Sequence, residues 1–200
     1  MYIIAGKAKV TVEPRRRKDP ERKQRIVDAT LIVIERHGVA GATHRRIAEA
    51  AAVPLGSVTY YFVSLEELLT TAFLQLATTS SGAFKARLDA AATRAEAIEG
   101  VIDIIAGSVW ADPRTLLLSY ELYTYAARHP EVTRVMQQWM DNSRVALGRF
   151  FDPLTARALD ALVEGIGIHN SIDAAPLNRD AIRMIVERLA STHKFQTNCR

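Results

Sequence analysis

The segment from Thr43 to Phe62 constrains this chain more than any other. It reads Thr-His-Arg-Arg-Ile-Ala-Glu-Ala-Ala-Ala-Val-Pro-Leu-Gly-Ser-Val-Thr-Tyr-Tyr-Phe. Thr43 is a helix-capping residue, and Ile47, Ala48 and Ala51 fall on one helical face behind it. Pro54 disfavours helical geometry in Val53, so the helix has to stop there. A second short helix follows from Leu55 to Tyr61, with Val58 and Phe62 one turn apart on its inner face. Two short helices joined by a tight turn need a small residue where they cross. Ala48 supplies it, Ala52-Val53 makes the turn, and Val53 with Val58 forms the apolar lock.

The flanks extend the helical pattern. Asp19-Pro20-Glu21 is a helix start: Asp caps, Pro occupies the first helical position and Glu complements the dipole. Ile26, Thr30, Val33 and Ile34 then share a face, and Gly38 is a C′ stop. Val58 and Phe62 are expected to dock on this first helix. Ser64-Leu-Glu-Glu67 is a capping box, with Glu67 reaching back to the cap. It opens a long amphipathic run through Leu68, Leu69, Ala72, Phe73 and Leu76 towards Leu88. Asp112-Pro113 and Asp152-Pro153 repeat the cap-plus-proline signal, and Pro130 separates two further runs. The pattern predicts about nine helices and no strand. The fold class is all-α: an N-terminal three-helix helix-turn-helix domain and a larger C-terminal helical domain. The expected boundaries are a basic arm over 1–19, the helix-turn-helix domain over 20–64, the larger helical domain over 65–191, to which the family resemblance given below adds ligand binding and dimerisation, and a tail over 192–200.

Composition narrows the function. Hydrophobic residues make up 48% and charged residues 24%, as in an ordinary soluble protein. No apolar run approaches the roughly 20 residues that span a bilayer, so no membrane partner is expected. Tyr2-Ile-Ile-Ala5 is too short for a secretory core and is followed by Lys7 and Lys9. Cys199 is the only cysteine. It permits no internal disulfide and fits a cytoplasmic chain. Residues 1–64 carry 12 Lys and Arg against 6 Asp and Glu, a balance of +6, while residues 65–200 carry 14 against 16, a balance of −2. The positive charge therefore accompanies the helix pair, on the side where a polyanion would bind.

The second helix of such a pair presents its N-terminal half to base edges in the major groove, while the first braces against the backbone. The residues read as exposed are Leu55, Gly56, Ser57, Thr59 and Tyr60. Small residues let the backbone approach, hydroxyls meet phosphates or bases, and Leu55 suits a thymine methyl. Tyr61 is placed for a phosphate. Thr43 and His44 open the first helix, where amides and dipole favour phosphate. Arg45 and Arg46 are candidates for phosphate contact. Arg15-Arg-Arg-Lys18 is a candidate for backbone or minor-groove contact. Tyr60 and Tyr61 also fit plain packing aromatics, and the arginines a solvated face.

From Arg22 to Phe73 the chain resembles the TetR family of transcriptional regulators. The resemblance rests on Arg25-Ile-Val-Asp-Ala29, Gly38, Thr43, Ile47-Ala-Glu49, Val53, Gly56-Ser-Val58, Tyr60-Tyr-Phe62 and Ser64-Leu-Glu-Glu-Leu-Leu69. It implies a homodimer that binds double-stranded operator DNA and leaves it when a small-molecule effector enters the C-terminal domain: a ligand-responsive regulator acting as a repressor. Two positions depart from the family. Ala52 stands where a turn glycine is usual, and Leu65 stands where a phosphate-contacting lysine is common. They support the alternative, a helical small-molecule sensor or carrier with weakened DNA binding.

Elsewhere the sequence is less specific. Trp110, Tyr120, Glu121, Tyr123, Met136, Trp139 and His169 form an aromatic and polar set that suits the lining of an effector pocket, and equally an ordinary core. The last two long helices carry wide apolar faces: Leu159, Leu162, Val163 and Ile166, then Ile182, Ile185, Val186 and Leu189. A helix apolar over more than one stripe needs more than one partner. The resemblance implies that these helices build the dimer interface. The five histidines show no ligand spacing, so no metal site is expected, and no cofactor is implied. No nucleophile elbow or paired carboxylates suggest an enzyme.

Overall fold

The computed structural model describes residues 20–107 and 112–191. The basic arm, Trp110 and the tail over 192–200 lie outside the described residues, as does the Asp19 cap. Among the described residues there are nine helices and no strand: α1 (Pro20–Gly41), α2 (His44–Ala50), α3 (Leu55–Tyr61), α4 (Leu65–Asp89), α5 (Arg94–Ala106), α6 (Pro113–Ala126), α7 (Pro130–Leu147), α8 (Pro153–Asn170) and α9 (Arg179–Ala190).

The helix starts follow the capping chemistry. The Thr43 side chain accepts from the Arg46 amide, Ser64 from Glu67, Thr93 from Glu96, and Asn178 from Ala181. Asp112 and Asp152 cap α6 and α8 ahead of their prolines. Glu67 does reach back, but to the Val63 amide at 2.7 Å, one residue ahead of the cap. Glu96 does the same with Ala92. Both arrangements satisfy amides that no intrahelical carbonyl can reach.

In α1, Ile26, Thr30, Val33 and Ile34 are all buried, and the Thr30 hydroxyl is satisfied by the Ile26 carbonyl at 2.8 Å. Gly38 breaks the helical run with φ +67°. The α1 face receives α2, the Val58–Phe62 side of α3, and α4. Lys23 lies over the Phe62 ring, 5.3 Å from its centroid. The long α4 leaves this unit and runs into the remaining helices, packing most heavily on α7.

In the C-terminal body α5 packs on α8 and α9, while α6 and α8 flank α7. Arg94 bonds the Phe150 and Ala190 carbonyls and stacks on Phe151, pinning the ends of α7 and α9 to the start of α5. Two ties join this body to α1. Arg114 of α6 pairs with Glu35 at 2.8 Å. Glu121 of α6 accepts from the Val39 amide at 3.0 Å, just past the Gly38 break.

Candidate nucleic-acid interface

The turn between α2 and α3 is a complete Schellman motif. Ala51 caps α2, and Ala52 follows in the left-handed region at φ +51°. The Ala52 amide donates to the Glu49 carbonyl at 3.2 Å, and the Val53 amide donates to the Ala48 carbonyl at 3.0 Å. These are the two bonds that close a helix through a left-handed C′ residue, a position that favours glycine. Ala52 is the one non-glycine residue with positive φ among the described residues. The turn is thus built to the usual geometry with the unusual residue.

Pro54 then starts α3 without a side-chain cap. Leu55 and Tyr60 are half exposed and Thr59 is exposed, so one side of α3 is presented to solvent. A Cβ built on Gly56 meets nothing within 4 Å, which leaves room for a partner to approach. Tyr61 is partly buried against the core, with its ring edge-on to Tyr60 at 5.1 Å. Val58 and Phe62 are buried and hold the helix from behind.

One expected exposure is corrected. Ser57 is only 9% exposed, because the first turn of α3 faces the protein at that position. It belongs to the packing side rather than to the presented side. His44 sits half-buried on the first turn of α2, with its Nε2 shielded and without a hydrogen-bond partner. Thr43 remains exposed, with its hydroxyl committed to the Arg46 amide at 3.2 Å. Arg45 is 84% exposed at the side chain and bonded only within its own helix, to Glu49 at 3.1 Å. Arg46 caps the Gly41 carbonyl. Leu65 packs against the core, so no charge issues from that position.

The expected effector set is dispersed. Met136 and Trp139 are buried core residues of α7. Glu121 is committed to Val39, Tyr120 to Ser171 at 3.0 Å, and His169 is exposed on the last turn of α8. Tyr123 instead reaches Glu164 of α8. Beside it, Arg144 bonds Asp160 at 3.0 Å. Burial raises the carboxyl pKa values of both Asp160 and Glu164. Burial likewise pushes the Tyr123 hydroxyl up, reinforced by its bond to Glu164. Two carboxyls and one guanidinium thus share a half-buried layer between α6, α7 and α8. Sequence reading missed Asp160 and Glu164. Their signal was an acidic pair at i, i+4 beside the apolar positions Leu159, Val163 and Ile166.

Open cavities lie elsewhere. One of about 400 Å³ sits between α1, α4 and α6, lined by Asp28, Ile32, Gln75, Thr79, Arg114 and Leu118 among others. A second, of about 440 Å³, continues along the α1–α4 seam past Val27 and Leu74. Neither is lined by the expected effector residues.

The expected dimer residues are also corrected in part. Leu159, Val163, Ile166, Ile182 and Val186 are buried inside the single chain, so they form its own core. Leu162, Ile185 and Leu189 are half-buried. The outer face of α8 carries Leu154, Ala158, Ala161, Gly165 and His169, with Ile172 just beyond, and α9 adds the exposed Met184.

An all-helical chain that presents one side of the second helix of a helix-turn-helix has the architecture of a DNA-binding regulator. Family comparison gives the same class. Residues 26–72 match the model of bacterial regulatory proteins of the tetR family, and residues 92–192 match a tetracyclin repressor-like C-terminal domain. The candidate transcriptional regulator SCO7518 of Streptomyces coelicolor A3(2) is 43% identical over 86% of this chain and all of its own, with a TM-score of 0.80. The multidrug binding protein EbrR, solved with ethidium, is 33% identical over 86% of this chain and 99% of its own, with a TM-score of 0.73. The regulator BetI of Rhizobium meliloti is 28% identical over 184 residues, covering 88% of this chain and 90% of its own. The chain belongs to the TetR family of helix-turn-helix transcriptional regulators. No helix among the described residues is long and apolar enough to cross a membrane.

Proposed function

We propose that this protein is a homodimeric, ligand-responsive repressor that reads operator DNA with α3. The observation that carries the reading is the presented side of α3, where Leu55, Thr59 and Tyr60 stand exposed on a turn whose hydrogen bonds are complete. Leu55 meets base edges, Thr59 and the tyrosines meet phosphate or base, and Arg45 is free to leave Glu49 for phosphate. The test is fluorescence anisotropy with the gene's own promoter fragment across a salt series. Binding should fall steeply with salt. Thr59→Ala/Tyr60→Ala should lose the affinity while keeping the wild-type melting temperature, since both side chains are exposed. Undiminished affinity in that double variant would remove α3 as the reading element.

The dimer reading rests on the outer face of α8. Ala158, Ala161 and Gly165 form a small-residue stripe that permits close helix approach. Gly165 has open space where a Cβ would stand, so packing within the chain does not require a glycine there.

For the effector we propose an organic cation held in the layer between α6, α7 and α8. Glu164 and Asp160 outnumber Arg144 there, and Tyr123 provides an aromatic wall. Such a layer favours a cation, whose charge the surplus carboxyl compensates. The solved complex of EbrR with ethidium supports the same chemical class. Ethidium is therefore the first probe: its quenching or enhancement should be lost in Glu164→Gln.

A further inference from the structure

The corner between α6 and α7 carries side chains that neither DNA reading nor effector binding uses. His129 precedes α7 as its N-cap residue, yet its ring makes no capping bond. Instead its Nδ1 lies 3.5 Å from Glu66 Oε1 and 3.3 Å from Glu131 Oε1. The three donor atoms all lie within 4.8 Å of one another. Glu66 comes from the first turn of α4 and Glu131 from the first turn of α7. Tyr125 stacks on the imidazole at 3.8 Å and 16°, which fixes its plane. Glu131 Oε1 is shielded and has no hydrogen-bond partner.

This arrangement is incomplete as an ion pair. An imidazole Nδ1 offers either one proton or one lone pair, so it satisfies at most one of two carboxylates. Two carboxylates converging on one nitrogen repel unless a cation joins them. The spacing suits a metal. Tetrahedral Zn²⁺ with N and O ligands at about 2.0–2.2 Å sets neighbouring donors roughly 3.3–3.5 Å apart. One imidazole and two carboxylates, with no thiolate, suit Zn²⁺, Co²⁺ or Ni²⁺ rather than Cu⁺.

We propose that Glu66, His129 and Glu131 form a binding site for a divalent transition-metal ion, with water completing its coordination. The ion clips the start of α4 to the α6–α7 corner. Glu66 follows Phe62, the C-cap of α3, by four residues, so the clip fixes the recognition unit against the C-terminal body. The effect on DNA rests on the operator-binding reading; metal binding does not.

The test uses full-length, chelator-stripped protein titrated with Co²⁺ and followed by visible absorption. One ion per chain is expected, with the intense bands of a four-coordinate site that Zn²⁺ displaces. Glu66→Gln and His129→Gln should weaken binding on the order of tenfold or more, because each removes one of three ligands. His169→Ala and Cys199→Ser should not. The Glu66 side chain is 59% exposed, so Glu66→Gln keeps the fold, which far-ultraviolet circular dichroism checks. No stoichiometric Co²⁺ uptake by the wild type, or equal uptake by both ligand variants, would overturn the site and leave a plain His–carboxylate pair. Operator affinity is read separately. A Zn²⁺ effect present in the wild type and absent in Glu66→Gln supports the clip, and an equal effect in both refutes it. A protein that binds Co²⁺ at this site but no operator refutes the operator reading alone.

Discussion

Replacing Ala52 with glycine should stabilise this protein. An L-residue in the left-handed region costs roughly 1–2 kcal/mol relative to its relaxed conformation, and glycine escapes that cost. Glycine also gives the unfolded chain more freedom, which takes back about 0.4–1 kcal/mol. Ala52 is exposed, so its methyl contributes little burial. The net gain is about 0.5–1 kcal/mol, and it should be felt first in the helix pair. Both tryptophans lie outside that unit, so a local probe is needed. Native-state hydrogen exchange at the Ala52 and Val53 amides, the two donors of the Schellman motif, supplies it. Their exchange should slow roughly two- to fivefold if local opening governs it. Ala52→Asn should fall between glycine and alanine, because asparagine tolerates this region, whereas Ala52→Val should destabilise. Operator affinity should be unchanged in Ala52→Gly, since the turn already has its bonds. Faster exchange in Ala52→Gly, or valine matching alanine, would refute the strain argument.

Three further outcomes are expected. Gly38→Ala should cost about 1–3 kcal/mol of thermal stability, from positive φ and from displacing the Glu121 carboxylate that holds the Val39 amide. A Cβ there would stand 3.1 Å from Glu121 Oε1, so part of the loss should vanish in a Glu121→Ala background. Asp160 and Glu164 have raised carboxyl pKa values. Their stabilising contribution is therefore complete below the ordinary carboxylate range and is lost as pH rises through the elevated values. A melting-temperature series from about pH 5 to about pH 8 should decline less in Glu164→Gln than in the wild type. Ala161→Arg, on the outer face of α8, should halve the solution mass seen by light scattering while leaving helicity intact; an unchanged dimer mass would move the interface elsewhere.

How much was legible depends on where each signal lives. Caps and breaks are local, so Thr43, Ser64, Asp112, Asp152 and Gly38 declared themselves in sequence and behave as expected. The helix pair was legible for the same reason: Ala48, Val58 and Phe62 repeat at helical spacing and are all buried. Facing was harder. Ser57 looks like a contact residue by type, but its orientation is set by how the first turn of α3 meets α2, which periodicity over seven residues cannot resolve. Five of the eight expected dimer residues are core residues of the single chain, for reasons of degeneracy. An apolar face does not say whether its partner is the same chain or another, and Leu159, Val163 and Ile182 found theirs at home. Polar groupings between distant helices were least legible. Tyr123 with Glu164, and His129 with Glu66, are separated by 41 and 63 positions, so only packing brings them together.

The proposed ligand response can be set against the strength of the polar ties between α1 and α6. Besides the packing of α1 on α6, two polar contacts join these helices. Arg114–Glu35 is partly exposed and contributes at most about 1 kcal/mol. The Val39 amide on the Glu121 carboxylate is a charge-assisted bond of about 1.5–3 kcal/mol. Their sum is comparable to an allosteric coupling of roughly 1–3 kcal/mol. On the proposed ligand-responsive reading, these two polar contacts are of a size that effector binding offsets. Glu121 and Tyr123 stand two residues apart on α6, one holding α1 and the other holding α8. On the effector proposal, a ligand that takes Glu164 from Tyr123 acts on the helix that carries the tie to α1. No chain of intermediates is required, because α6 is itself the element that both sites share.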